Sequence, residues 1–232
     1  MTYGITIKNE STGTVQIDEN YKNYCLVQKS TVTPNGLGEG SVSYTGNAPI
    51  LAVACGANST VLWTTGLSGS TWTWYLKAGA PTPYENIICY VFDVSPAASS
   101  SGMALVVKDG SGATCYDSRN KYLTIAGIME GSTYSNTSPP STTMASGRTY
   151  AVLMGKLSGR SNGFSGSTVG GYYTWNTSTY GLGCKVNGNT ISSSEITLAS
   201  NYYSGSFGGT TAGGFAYDFK DYRWLIADVT GY

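Results

Sequence analysis

Short runs in which apolar and polar residues alternate cover most of the chain, and Gly, Asn, Ser and Asp separate them. Tyr3–Lys8, Thr14–Asp18 and Tyr24–Lys29 are the first of these runs. Ser41–Thr45, Ile50–Cys55, Thr60–Thr64, Thr71–Leu76 and Ile87–Val94 follow. Then come Met103–Lys108, Ala113–Asp117, Lys121–Ala126, Thr149–Leu157, Gly171–Trp175, Ile196–Tyr203 and Tyr222–Val229. Alternation bounded by turn residues predicts strands. No stretch sustains apolar residues at i, i+3 and i+4, so any helix should be a single turn. Strands recurring about every 10 residues predict an antiparallel sandwich or barrel. The longest apolar runs, Ile50–Cys55 and Ile87–Phe92, are of strand length, far below the ~18 residues of a membrane span.

The pattern repeats. Ile7-Lys8-Asn9-Glu10-Ser11-Thr12-Gly13, followed by Ile17-Asp18, Lys22 and Leu26, matches Val107-Lys108-Asp109-Gly110-Ser111-Gly112, followed by Tyr116-Asp117, Lys121 and Leu123. Leu51-Ala52-Val53 faces Tyr150-Ala151-Val152, and Trp72–Tyr75 faces Tyr172–Trp175. Both halves end alike, in Cys89–Val94 and in Trp224–Val229. The order of the matches predicts two tandem, related antiparallel β-sandwich units, residues 1–95 and 102–232, joined by a small, polar, Pro-bearing linker at 96–101. The second unit is longer because of Gly/Ser/Thr-rich stretches at Gly131–Gly147, Ser158–Gly171 and Ser204–Gly214, read as long loops.

Two segments carry a family resemblance. The opening YGITIKNESTGTVQIDENYKNYCLV resembles the start of small tail-tip proteins of siphophages and lambdoid prophages. A second stretch is similar to a recurrent segment there: Phe92-Asp93, Pro96, Gly102-Met103, Asp109, Gly112 and Tyr116-Asp117-Ser118. The resemblance implies a structural virion protein of a bacteriophage tail tip or tail fibre. It implies other tail proteins as partners, such as the central tail-tip or fibre protein, and self-association, with a homotrimer as the expected number. It transfers no active-site residue.

Composition narrows the chemistry. Charged residues make up 11%, against roughly 25% in an average soluble domain. The 19 Tyr, 5 Trp and 5 Phe argue for order in spite of the low charge. Lys+Arg and Asp+Glu balance at 13 each, and the basic residues are scattered, so no nucleic-acid partner is expected. With no His, Ser-His and Cys-His triads cannot be built from this sequence. The five Cys contain no CxxC pair, which argues against zinc and for buried thiols of a reducing compartment. The start MTYGITIKNES has no basic n-region followed by an apolar core, so the expectation is synthesis in the host cytoplasm without a signal peptide. No membrane insertion, metal or cofactor is expected.

Two chemistries remain open. A small β-sandwich glycoside hydrolase would need two carboxylates facing one another across a sugar cleft, with Glu85, Glu130, Glu195, Asp93 and Asp117 as candidates. Calcium could involve Asp218/Asp221 or Asp117/Glu130, though no DxDxDG loop is present. The aromatics fit contact better than catalysis. Tyr172, Tyr173, Trp175, Tyr180, Tyr202 and Tyr203 flank the second-half loops, and Tyr with Ser, Gly and Asn is the composition of an adaptable binding surface. These six are the candidate binding residues, for stacking on a host cell-surface glycan or packing on a partner. The expectation is therefore a non-enzymatic tail protein, with a carbohydrate-binding receptor-recognition protein and a glycosidase as alternatives.

Overall fold

The computed structural model describes residues 6–8, 15–18, 23–56, 59–79, 82–94, 102–132, 140–156, 158–165, 173–205 and 215–232. Eighteen strands run in chain order: β1 (Thr6–Lys8), β2 (Val15–Asp18), β3 (Cys25–Val32), β4 (Glu39–Thr45), β5 (Ile50–Ala54), β6 (Thr60–Ser68), β7 (Thr71–Ala78), β8 (Ile87–Asp93), β9 (Val106–Lys108), β10 (Thr114–Asp117), β11 (Thr124–Ser132), β12 (Ser141–Thr143), β13 (Tyr150–Lys156), β14 (Gly159–Ser165), β15 (Tyr173–Asn187), β16 (Thr190–Gly205), β17 (Phe215–Phe219) and β18 (Asp221–Asp228). The fold is all-β and of sandwich type, and every named strand pair is antiparallel.

A six-stranded sheet has the order β11-β18-β13-β5-β8-β3, and an eight-stranded sheet contains the path β12-β16-β15-β6-β7-β4. Each half of the chain supplies three strands to each path. The orders read the same from either end once β3, β4, β5, β6, β7 and β8 are exchanged for β11, β12, β13, β15, β16 and β18. The halves are thus related by a pseudo-twofold axis, and they meet where β5 pairs β13 at Val53–Val152 and β6 pairs β15 at Thr60–Cys184. Residues 1–95 and 102–232, expected as tandem units, are two halves that share both sheets. The expected linker at 96–101 lies outside the described residues.

Pair-by-pair register supports the duplication. In β1–β2, Thr6 faces Asp18 and Lys8 faces Val15; in β9–β10, Val106 faces Asp117 and Lys108 faces Thr114, and both hairpins contain a register shift. The β3–β8 ladder shifts between Leu26 and Gln28, and the β11–β18 ladder shifts at the matching place, between Ile125 and Gly127. Leu26 N–H donates to Lys121 O at 2.7 Å and Leu123 N–H to Tyr24 O at 2.9 Å, a reciprocal pair around the Cys25–Tyr122 bridge. The edges of the six-stranded sheet therefore meet where β3 and β11 begin. One match in the sequence is displaced: Trp72–Tyr75 lies on β7, whose counterpart is β16, whereas Tyr173 and Trp175 lie on β15.

Burial explains the two closing motifs. β8 and β18 are inner strands of the six-stranded sheet, and each carries buried residues on both faces: Cys89, Tyr90, Val91 and Phe92 along β8, and Trp224, Ile226 and Ala227 along β18. A strand covered on both faces reads as a continuous apolar run rather than an alternation. Val42, Trp74, Leu76, Leu182 and Cys184 bring the eight-stranded sheet into the same core. Trp74 is thus a core residue, and Trp72 packs against that core half-buried.

Both motifs end in a buried aspartate that fastens a loop. Asp93 accepts the backbone N–H groups of Asn47 (3.0 Å), Ala48 (3.2 Å) and Val94 (2.7 Å). A Cβ at Gly46 would collide with this carboxylate, which is why the loop before β5 needs glycine there. Asp228 accepts from Thr230 N–H at 3.0 Å and pairs with Arg148 in the loop before β13. At the β9–β10 turn, Asp109 accepts from Ser111 N–H and Ala113 N–H, both at 2.9 Å, and Gly112 takes the left-handed φ of 86° that closes the turn.

Candidate functional site

The halves differ most in β15 and β16. These strands have 15 and 16 residues, against 9 and 8 in their counterparts β6 and β7. At about 3.3 Å per residue the excess continues the hairpin by roughly 20 Å. The sequence sustains it with Thr, Tyr, Trp and Ile at β-favouring positions and no Pro between Tyr173 and Gly205. β14 and β17 complete a ladder in the order β16-β15-β14-β17.

Register sorts the ladder into two faces, since side chains alternate along each strand. Trp175 lies opposite Tyr203 on β16 and opposite Ser165 on β14. Thr177 lies opposite Asn201 and Gly163, and Thr179 opposite Ala199 and Ser161. On β17, Phe215 faces Gly163, Tyr217 faces Ser161 and Phe219 faces Gly159. One face therefore holds the positions of Tyr173, Trp175 and Tyr203 on one side and of Phe215, Tyr217 and Phe219 on the other. Between them runs a row of small residues, Gly159, Ser161, Gly163 and Ser165.

The six sequence candidates separate accordingly. Tyr173, Trp175 and Tyr203 share the aromatic-rich face, while Tyr202, opposite Asn176, belongs to the other. Tyr172 lies outside the described residues. Tyr180 is half-buried on the second face, opposite Arg160. The Arg160 guanidinium sits 4.7 Å from its ring centroid and holds Glu195 by two contacts of 3.0 Å, Nε to Oε2 and Nη2 to Oε1. This cation–π contact and forked ion pair tie β14, β15 and β16 together. Sequence reasoning took Phe215 and Tyr217 only as part of a candidate binding stretch, Asn201–Tyr217, and missed Phe219; the signal was the period-two run FAYDF, which the glycines before it made look like loop.

Five of the carboxylates named for hydrolysis or calcium have other partners. Glu195 is held by Arg160, and Asp93 by the backbone of its loop. Asp117 meets Arg119 at 2.5 Å, and that side-chain hydrogen bond is the main cause that brings its carboxyl down to about 2. Glu130 pairs with Arg223 at 2.7 Å, and Asp221 with Lys156 at 2.9 Å. The Lys156 hydrogen bond is the largest cause that lowers Asp221 below the ordinary carboxylate range. These two pairs border a groove of about 700 Å³ at the end of β11, β13 and β18. Glu130 on β11 and Glu195 on β16 lie in different sheets. Among the described residues no group of three or more His, Cys, Asp or Glu is placed to hold a metal, and no helix is long and apolar enough to cross a membrane.

All five cysteines are buried and none forms a disulfide. Burial pushes the Cys89 thiol up to about 12 and raises Cys184 as well. Both therefore stay protonated near neutral pH, the state of a packing residue rather than a nucleophile.

No protein-family model matches this sequence, and neither a curated protein nor a solved structure shows significant similarity to it.

Proposed function

We propose that this chain is a non-enzymatic structural protein of a bacteriophage tail tip or tail fibre, resident in the virion, that works by contact with other tail proteins and with the host surface. The observation that carries this reading is the asymmetry between duplicated halves. One half keeps compact strands, and the other extends the equivalent hairpin into a four-stranded ladder with six aromatic positions on one face by register. A duplicated scaffold secures the core, so one copy is at liberty to become a contact surface at little cost in stability. The opening hairpin and the Phe92–Ser118 stretch, which resemble tail-tip proteins, support the virion assignment.

A saccharide is the second reading, supported by the row of Gly and Ser positions between aromatic ones. Ring faces stack on the C–H side of a sugar, and hydroxyls and backbone groups bond its edge. Trp175→Ala with Tyr203→Ala is expected to leave folding intact and to weaken virion attachment by about 1–3 kcal/mol, the size of a contact hot spot. Adsorption assays on reconstituted virions, with a glycan array on the isolated protein, measure this. Normal assembly and adsorption of the double variant would remove the ladder as the contact surface. Release of reducing sugar from capsule or lipopolysaccharide would favour the glycosidase reading instead.

A further inference from the structure

We propose that the outer edge of β11, which from Thr124 onward pairs with no strand among the described residues, is a self-association site, at which two copies of the chain pair their β11 strands antiparallel about a twofold axis. β11 and β3 are the outermost strands of the six-stranded sheet and are counterparts in the duplication. Their bulges coincide, so residues can be matched through the neighbouring strands: Leu26, opposite Phe92, corresponds to Ile125, opposite Ala227. By the same count Lys29, opposite Tyr90, corresponds to Ile128, opposite Leu225.

The internal comparison is informative because lysine on an edge strand is a common guard against unwanted strand addition. β3 keeps that guard: Lys29 donates to Tyr232 O at 2.7 Å and lies 5.2 Å from the Tyr90 ring centroid. At the equivalent place β11 has Ile128, 61% exposed, with Ile125 at 42%. From Thr124 to Ser132 the strand has no Lys, Arg or Pro and a single charge, Glu130, which Arg223 of the adjacent strand already neutralises.

A second copy fits this edge by its own symmetry. The bulge at Ala126 leaves Ile125 and Ile128 on one face, since their partners Ala227 and Leu225 are two residues apart on β18. Centring the axis between Ala126 and Gly127 sets Ile125 against Ile128 of the second copy, and the reverse contact follows from the axis. Thr124 and Met129 then oppose each other at the ends. Glu130 falls beyond the paired stretch, which stops at Thr124 because Tyr24 already takes the outer side of Leu123, so no like charges meet. Each copy uses its one open β11 edge, which closes the assembly as a dimer instead of a fibre. The proposed assembly is even-numbered, where the tail resemblance implies a trimer.

Sedimentation equilibrium of the full chain at micromolar concentration, combined with hydrogen exchange, tests this. The wild type should be a dimer with slow exchange along Thr124–Met129. Ile128→Lys should raise the dimer dissociation constant at least tenfold and speed exchange in β11 alone, with β3 unchanged. Ile128→Thr, a milder β-branched change, should shift dissociation in the same direction. A wild type that is monomeric or trimeric, or a dimer that persists in Ile128→Lys with β11 exchange unaltered, would overturn the proposal.

Discussion

Replacing Trp224 by alanine is expected to cost about 3–5 kcal/mol, the upper range for a core truncation. Trp224 is fully buried on β18, with Tyr222 tilted against it at 5.3 Å between centroids and Met129 and Met154 opposite it on the flanking strands. Three strands of the second half thus pack through one ring. The cavity left behind could not collapse, because the backbone on both sides is fixed by ladder hydrogen bonds. Domains of this kind are stable by only about 5–15 kcal/mol, so the loss would remove much of the total. Chemical denaturation, read as the shift in midpoint at constant slope, measures it; a shift worth under 1 kcal/mol would mean that the ring is not the keystone of that half.

Asp93→Ala is expected to cost roughly 3 kcal/mol, through the N–H groups of Asn47, Ala48 and Val94 that would lose their acceptor. The damage should centre on the loop before β5, which holds the strand at the pseudo-twofold axis. Asp228→Ala should do the same to the loop before β13. Asp228 adds a pH dependence with a definite sign. Burial opposes its charge, but the bonds from Thr230 and Arg148 outweigh burial and lower its pKa below 3.8. A carboxylate depressed in the folded state contributes stability that is fully present above its unfolded pKa and is lost as pH falls through the folded one. Stability measured downward from pH 5 should therefore decline less steeply in Asp228→Ala than in the wild type. Identical slopes would show that the Arg148 pairing contributes nothing.

Much of this architecture was legible in the residues. The all-β class followed from period-two runs and glycine-rich turns, and the duplication from the paired hairpins and the two motifs ending in Asp93 and Asp228. The interleaving of the halves was not legible. Strand pairing across the axis rests on single pairs such as Val53–Val152, and no local pattern encodes which distant strand becomes a neighbour. β14 and β17 were hidden because Gly159–Ser165 and the region before Phe215 have the composition of loops; a long partner hairpin, rather than intrinsic propensity, keeps them extended. At the candidate site the sequence named Trp175 and Tyr203 but could not place them opposite one another, since that depends on a bulge at Thr179–Tyr180. It also grouped Tyr180 with them, whereas Tyr180 lies on the other face against Arg160, which Glu195 holds.

The central claim is that two duplicated halves share both sheets, and native-state hydrogen exchange across a urea series tests it most directly. Each half supplies at least three strands to each sheet, so neither half can unfold and leave the other with a covered core. The slowest amides of β8, in Ile87–Asp93, and of β18, in Asp221–Asp228, should report the same opening free energy and be lost in one transition. Two transitions, with one of these strands exchanging while the other stays protected, would mean that the halves fold as independent tandem units and would contradict the account.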